Sequence, residues 1–284
     1  MNVSRRNFIK TSGSSLVSAA ILSQVPLSLI GCGNTMRNKS FGFQIWTIKD
    51  KLLADFPGTL KMMADFGYME VEMCSPLGYN FEDLHKIKGP DMRKIIEDAG
   101  LKCTSSHYNL PELRDHLDNR IQWAHDLGMK QIILSSFWLP KEASLDDYKM
   151  ACDELNTLGE KTKKADIQMG FHNHHMEFEK RNGELIYDVL LDQLDPDLVK
   201  MQFQVAVENI GYKASDYFNK YPGRFISAHL SDWVSEEKSV PVGQGMIDWP
   251  EFSNAAKTGG VQNFYAEINP EFFEESVKYL LALS

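Results

Sequence analysis

The chain has 284 residues, 43% of them hydrophobic, with 30 basic against 39 acidic residues and a formal net charge of −9. That length and apolar fraction suffice for one large core, and an α/β barrel of this size is ordinary as one domain. The acidic balance excludes a nucleic-acid partner, which would require clustered Lys and Arg, and weighs less strongly against anionic sugar phosphates.

Ser4-Arg5-Arg6-Asn7-Phe8-Ile9-Lys10 has the twin-arginine export pattern, and an apolar stretch from Leu16 to Ile30 follows it. Serines and Pro26 interrupt that stretch, which is too short for a membrane span. It ends in Leu29-Ile30-Gly31-Cys32, which resembles a lipoprotein cleavage box. The expected organisation is therefore a twin-arginine lipoprotein signal peptide over 1–31, a polar tether over 32–40 and a barrel over 41–284. The protein is then exported by the twin-arginine route and held on the periplasmic side, touching the membrane only through a lipid on Cys32. A cleaved signal with an incidental cysteine is the alternative. Twin-arginine cargo crosses folded, which suits a protein that must acquire a metal first. Taking Arg5, Arg6 and Lys10 from 30 leaves 27 bases against 39 acids, a mature net charge of about −12. Cys74, Cys103 and Cys152 are too widely spaced for a zinc finger and read as small buried apolar residues.

From Phe41 onward strand and helix patterns alternate. Phe41–Thr47 reads as the first strand, and the helix after it, Gly58–Phe66, closes at Gly67. Tyr68–Met73 is the second strand; Pro90–Ala99 is a helix opened by proline and closed by Gly100. Leu101–His107 precedes a helix from Pro111 to Gly128, and Lys130–Ser135 precedes the longest helix, Leu145 to Ala165. The fifth strand runs from Ile167 into Gly170-Phe171-His172-Asn173-His174, with a helix over Glu184–Leu194. Leu198–Val207, Arg224–Leu230 and Asn263–Glu267 complete the strands, each followed by a helix: Ala214–Lys220, Trp249–Lys257 and Pro270–Leu281. Eight such units predict a (β/α)8 TIM barrel; the competing doubly wound sheet lacks its Gly-rich phosphate turn after the first strand.

Barrel active sites lie at the carboxyl ends of the strands. Those ends carry Glu72, His107, His172 with His174, Gln204, His229 with Asp232, and Glu267. His172 and His174 share a face because side chains alternate along a strand, and Glu177 arrives from the turn beyond. Imidazole and carboxylate together suit zinc, manganese or a similar divalent ion. Glu70 is expected to face out; His85, His116 and His125 read as surface or helix residues, and His175 as solvated.

Residues 41–284 resemble the xylose isomerase-like barrel family, in its bacterial sugar isomerase/epimerase branch. The resemblance is carried by Phe66-Gly67-Tyr68-Met69-Glu70-Val71-Glu72, Phe171-His172-Asn173-His174 with Glu177-Phe178, and Tyr221-Pro222-Gly223-Arg224-Phe225. Ala228-His229-Leu230-Ser231-Asp232, Val242–Trp249 and Ala266-Glu267 continue it. It implies one divalent metal (Mn, Zn, Mg or Co) at the barrel mouth. His172 falls where relatives place a ligand, often a glutamate, and His229 and Glu267 match two more. Three positions depart from the pattern: Gln204 stands for the usual aspartate, Ser231 for a lysine and Asn269 for an acid. Glu177 would compensate as a ligand.

The chemistry this implies is proton abstraction next to the carbonyl of a keto-sugar or 3-keto-glycoside, leading to epimerisation, isomerisation or elimination. Glu267 with His174 or Glu177 would move the proton. His107, Gln204 and Asp232 would contact the sugar, and Trp46 and Trp138 would stack on it or pack in the core. The chain is expected to act on a small sugar or glycoside, as a monomer or homo-oligomer. A non-catalytic carbohydrate-binding lipoprotein on a degenerate barrel is the alternative, favoured by Gln204. Apurinic endonuclease activity, found in barrel cousins, is disfavoured by the acidic balance and the missing ligand set.

Overall fold

The computed structural model describes residues 40–283, so the expected signal peptide, the Cys32 anchor and most of the tether lie outside it. Eight parallel strands close into a barrel: Phe41–Gln44, Glu70–Cys74, Lys102–Tyr108, Gln131–Leu134, Gln168–His172, Val199–Gln204, Phe225–Leu230 and Asn263–Ala266. Closure is made by the first strand, which pairs Gly42 with Glu70 on one side and Phe41 with Phe264 on the other. The TIM barrel expected from the alternating pattern is thus the fold. Among the described residues no helix is long and apolar enough to cross a membrane.

Gly67 and Gly128, read as helix stops, end their helices in the left-handed conformation, where a side chain would be strained, and Gly260, not singled out from sequence, does the same. Asp55, Asn109, Ser144 and Asp248 accept backbone N–H bonds at helix starts. The fifth helix is shorter than expected, Ile186–Gln193, because Glu184–Leu185 pairs with Lys180–Arg181 in a small hairpin. A second hairpin, Asp232–Ser235 with Lys238–Val240, follows the seventh strand.

The period-two alternation sorts side chains sharply. Phe43, Val71, Met73, Ile132, Met169, Phe203, Ala228 and Phe264 are fully buried, forming the layer beneath the helices. The axial positions between them are mostly polar, Ile133 being an exception: Glu70, Glu72, Ser105, His107, Gln131, His172, Gln202, Ser227 and His229 are all buried. A barrel interior is ordinarily filled by branched apolar side chains. Here it is a hydrogen-bonded network, and polar groups so buried must be partnered.

Glu70 corrects the expectation that it faces out. It is 8% exposed and accepts hydrogen bonds from Thr104 Oγ1 (3.2 Å), Asn263 Nδ2 (2.9 Å) and Ser40 Oγ. Glu70 and Glu72 are two apart on one strand, so both point to the axis, one layer above the other. His85, His116, His125 and His175 are exposed, as expected.

Candidate active site

The network at the carboxyl end is centred on Glu72, which is wholly buried. Its Oε1 accepts from Ser105 Oγ at 2.7 Å and Gln202 Nε2 at 2.8 Å. Its Oε2 lies 2.5 Å from His229 Nε2 and 3.2 Å from His107 Nε2. Gln202 ties the cluster together, with Oε1 2.7 Å from His107 Nε2 and Nε2 also donating to Ser227 Oγ at 2.9 Å. Burial alone would raise the Glu72 carboxyl, but His107 and His229 beside it hold it well below the usual carboxylate range.

His229 bridges two acids from different strands. Its Nδ1 is 3.0 Å from Glu267 Oε2, which also accepts from Gln204 Nε2 at 2.7 Å. Burial opposes a charge on this ring, but the two carboxylates outweigh it and raise the imidazole to about 9. Burial likewise pushes Glu267 up, and the His229 bond more than reverses that. At neutral pH the centre is therefore an imidazolium held between two carboxylates.

His172 and His174 are neutral at pH 7. His172 stands 4.4 Å from His229 and 5.0 Å from His107 between ring centroids. Burial first, then these neighbours and His174, hold it well below 6.5. His174, edge-on to His172 at 4.9 Å, is lowered to about 4, chiefly by burial. One nitrogen from each of His107, His172 and His229 lies within 4.8 Å of the others, and all three residues are buried. Nδ1 of His172 has no hydrogen-bond partner. Three imidazoles, an orphaned ring nitrogen and two adjacent carboxylates fit a divalent cation such as zinc or manganese. To ligate, His229 must give up the proton it shares with the acids, so metal and proton compete for it.

The cluster opens on a cavity of about 150 Å³. His107, His172, His174 and Glu267 line it together with Gln44, Cys74, Tyr79, Ser135, Trp46 and Trp138. Two clefts of about 370 Å³ lie elsewhere, one around Gln131 and Gln168 and one beside Tyr212 and Tyr217, and neither contains an imidazole.

Of the residues singled out from sequence, the barrel brings His107, His172, His174, Gln204, His229, Glu267 and Trp46 to this mouth. Gln204 turns its amide nitrogen to Glu267 and its oxygen to Ala206 N. Glu177 and Asp232 face elsewhere. Glu177 is 1% exposed and accepts from Ser136 Oγ and His174 N, both at 2.7 Å, which fastens the turn carrying His174. Burial raises its carboxyl to about 7. Asp232 accepts from the N–H groups of Gly243 and Gly245 at 3.0 Å and from Trp249 Nε1 at 2.9 Å, organising the loop after the seventh strand.

Sequence reasoning passed over Gln202, Ser105 and Ser136. Gln202 was findable, since it lies two residues before Gln204 and so shares its inward face. Ser105 was findable in the same way, two residues before His107, although the register shift preceding it hides that it would meet Glu72.

The chain is similar to known proteins over nearly all of the barrel. A comparison with curated proteins gives no match. Among solved structures, a sugar phosphate isomerase/epimerase from Parabacteroides distasonis is 28% identical, with a TM-score of 0.72, covering 86% of this chain and 94% of the other. A second sugar phosphate isomerase/epimerase from that organism is 25% identical, with a TM-score of 0.70 and coverage of 86% and 98%. A D-psicose 3-epimerase, with structure determined in the presence of D-fructose, shares the fold at 13% identity, a TM-score of 0.63 and coverage of 86% and 98%. The model of the xylose isomerase-like TIM barrel matches residues 60–282, and the chain belongs to that family.

Proposed function

We propose that the protein is an enzyme of the sugar isomerase/epimerase type that moves a proton at a carbon next to the carbonyl of a keto-sugar or 3-keto-glycoside. The observation that carries this reading is the meeting of His107, His172 and the wholly buried His229 within 4.8 Å, beside a cavity lined by His107, His172, His174 and Glu267. His107, His172 and His229, with Glu267 beside them, would hold one divalent metal. Such an ion, when bound, polarises the carbonyl and stabilises negative charge on its oxygen.

The chain's own groups supply the proton transfers. Both bonds to Glu267 arrive at Oε2, which leaves Oε1 to take the substrate proton. His174 is neutral and lines the same cavity, so it can accept or return a proton from a second direction. Glu177 acts through His174, holding its turn in place. Return of the proton to the opposite face gives an epimer, return to the neighbouring carbon an isomer, and loss of a β-substituent an elimination.

Arg5-Arg6 and the sequence through Cys32 support export and a lipid anchor facing the periplasm, where free sugars and glycosides are met. Proton NMR in deuterated water, with a panel of free ketoses and 3-keto-glucosides, tests the reading. Solvent deuterium should enter the carbon beside the carbonyl in metal-loaded protein; a panel that stays fully protonated refutes it. One observation favours a second reading, a non-catalytic sugar-binding protein: Gln204 supplies no charge and both its amide atoms are already engaged. Tight sugar binding with no bound metal and no exchange would select it.

A further inference from the structure

The cavity is small, and its surroundings differ from its floor. At about 150 Å³ it falls below the ~300–1,000 Å³ usual for drug-sized ligands, so it houses about one sugar ring and leaves any substituent outside. No Lys or Arg is among the residues that line it. Lys49, beside the cavity-lining Trp46 and Tyr79, has its Nζ 5.4 Å over the Trp46 ring and 5.0 Å over Phe81, donating to Tyr79 O. A phosphate would find no arginine fork here, and it would face Glu267.

The rim, by contrast, is apolar. Trp46 is 47% and Trp138 56% exposed, and both line the cavity. Each indole is fixed from behind. Trp46 packs edge-on to Tyr79 at 5.8 Å, and its backbone N–H donates to Gln44 Oε1. Trp138 packs on His174 at 5.0 Å, its Nε1 reaches Ser135 Oγ and its backbone N–H reaches Ser136 Oγ. Its φ of +51° is a left-handed conformation that a bulky residue adopts only at a cost. Leu77, Ile210 and Met246, in other strand-to-helix connections at the carboxyl end of the barrel, are also large and exposed. Fixed, exposed aromatic faces around a polar pocket are a binding surface rather than a core remnant.

We infer that Trp46 and Trp138 form a platform for an apolar, preferably aromatic, aglycone, so that the substrate class is uncharged glycosides rather than sugar phosphates. The inference rests on the proposed sugar site and adds its specificity. Unoxidised glucosides serve as probes, because their binding does not depend on turnover. Calorimetry with 4-nitrophenyl β-glucoside and methyl β-glucoside should show the aryl glucoside binding at least about fivefold tighter, the scale of one or two aromatic contacts. Trp46→Ala and Trp138→Ala should each erase most of that preference, while Trp46→Phe and Trp138→Phe keep it. Glucose 6-phosphate should bind no tighter than glucose. Equal binding of the two glucosides, no binding of either, tighter binding of the phosphate ester, or a preference that survives both alanine variants would each overturn it. Deuterium exchange on a free ketose by the wild-type protein, measured alongside, separates the two ideas. Exchange without an aryl preference removes only the platform, and an aryl preference without exchange removes only the proton transfer.

Discussion

Replacing Glu72 by Gln keeps the shape of the central side chain and removes its charge. Its two oxygens meet Ser105, Gln202, His229 and His107 with no exposure to water. Losing one partner of a buried ion pair costs about 3–5 kcal/mol. A second route gives a similar size: raising His229 from 6.5 to about 9 corresponds to roughly 3 kcal/mol of coupling between its charge and the fold. Part of this is retained, because Gln still accepts one hydrogen bond and Glu267 remains. A loss of about 3 kcal/mol should lower Tm by roughly 6–12 °C in a domain of this size. A group whose pKa is raised on folding contributes fully below its unfolded value, and that contribution fades as pH rises through the folded value. The stability gap between wild type and Glu72→Gln should therefore be widest near pH 6 and shrink towards pH 9. Thermal unfolding followed by circular dichroism, in chelator-treated buffer across that range, measures it. A gap that is flat or grows with pH would refute the imidazolium between two acids.

Other substitutions separate the remaining roles. Asp232→Ala should cost about 3–5 kcal/mol in thermal unfolding, because the buried Trp249 Nε1 and several loop N–H groups lose their acceptor; Asp232→Asn should cost less. Gly42→Ala should cost about 1–3 kcal/mol, since its Cβ would meet Tyr265 Cδ1 at 2.6 Å and Glu70 O at 3.0 Å. His229→Gln should abolish stoichiometric metal in elemental analysis. His174→Gln should retain the metal while slowing deuterium exchange by about 10²–10⁴-fold, the usual contribution of a general acid or base.

The barrel was legible because its punctuation is local. Gly67 and Gly128 stop helices through backbone conformation alone, and the apolar alternation of Phe41, Phe43, Val71 and Met73 marks strands without reference to partners. The mouth was legible for a related reason, since strand ends in a barrel converge wherever they lie in sequence. Burial and orientation were harder to read. Glu70 looked like an outward acid because nothing local shows that Thr104 and Asn263, from two other strands, will satisfy it. Asp232 lay beside His229 in sequence, yet the hairpin after the seventh strand turns it towards glycine N–H groups. Glu177 lies three residues from His174, and its carboxylate is turned by His174 N and by Ser136, two residues past the end of the fourth strand.

The most direct measurement is the location of a bound cation. Crystals grown with manganese, with data collected to record its anomalous scattering, should show one strong peak between His107, His172 and His229, within reach of Glu267. A peak elsewhere, or none at saturating manganese, would contradict the account of this barrel as a metal-assisted proton-transfer site.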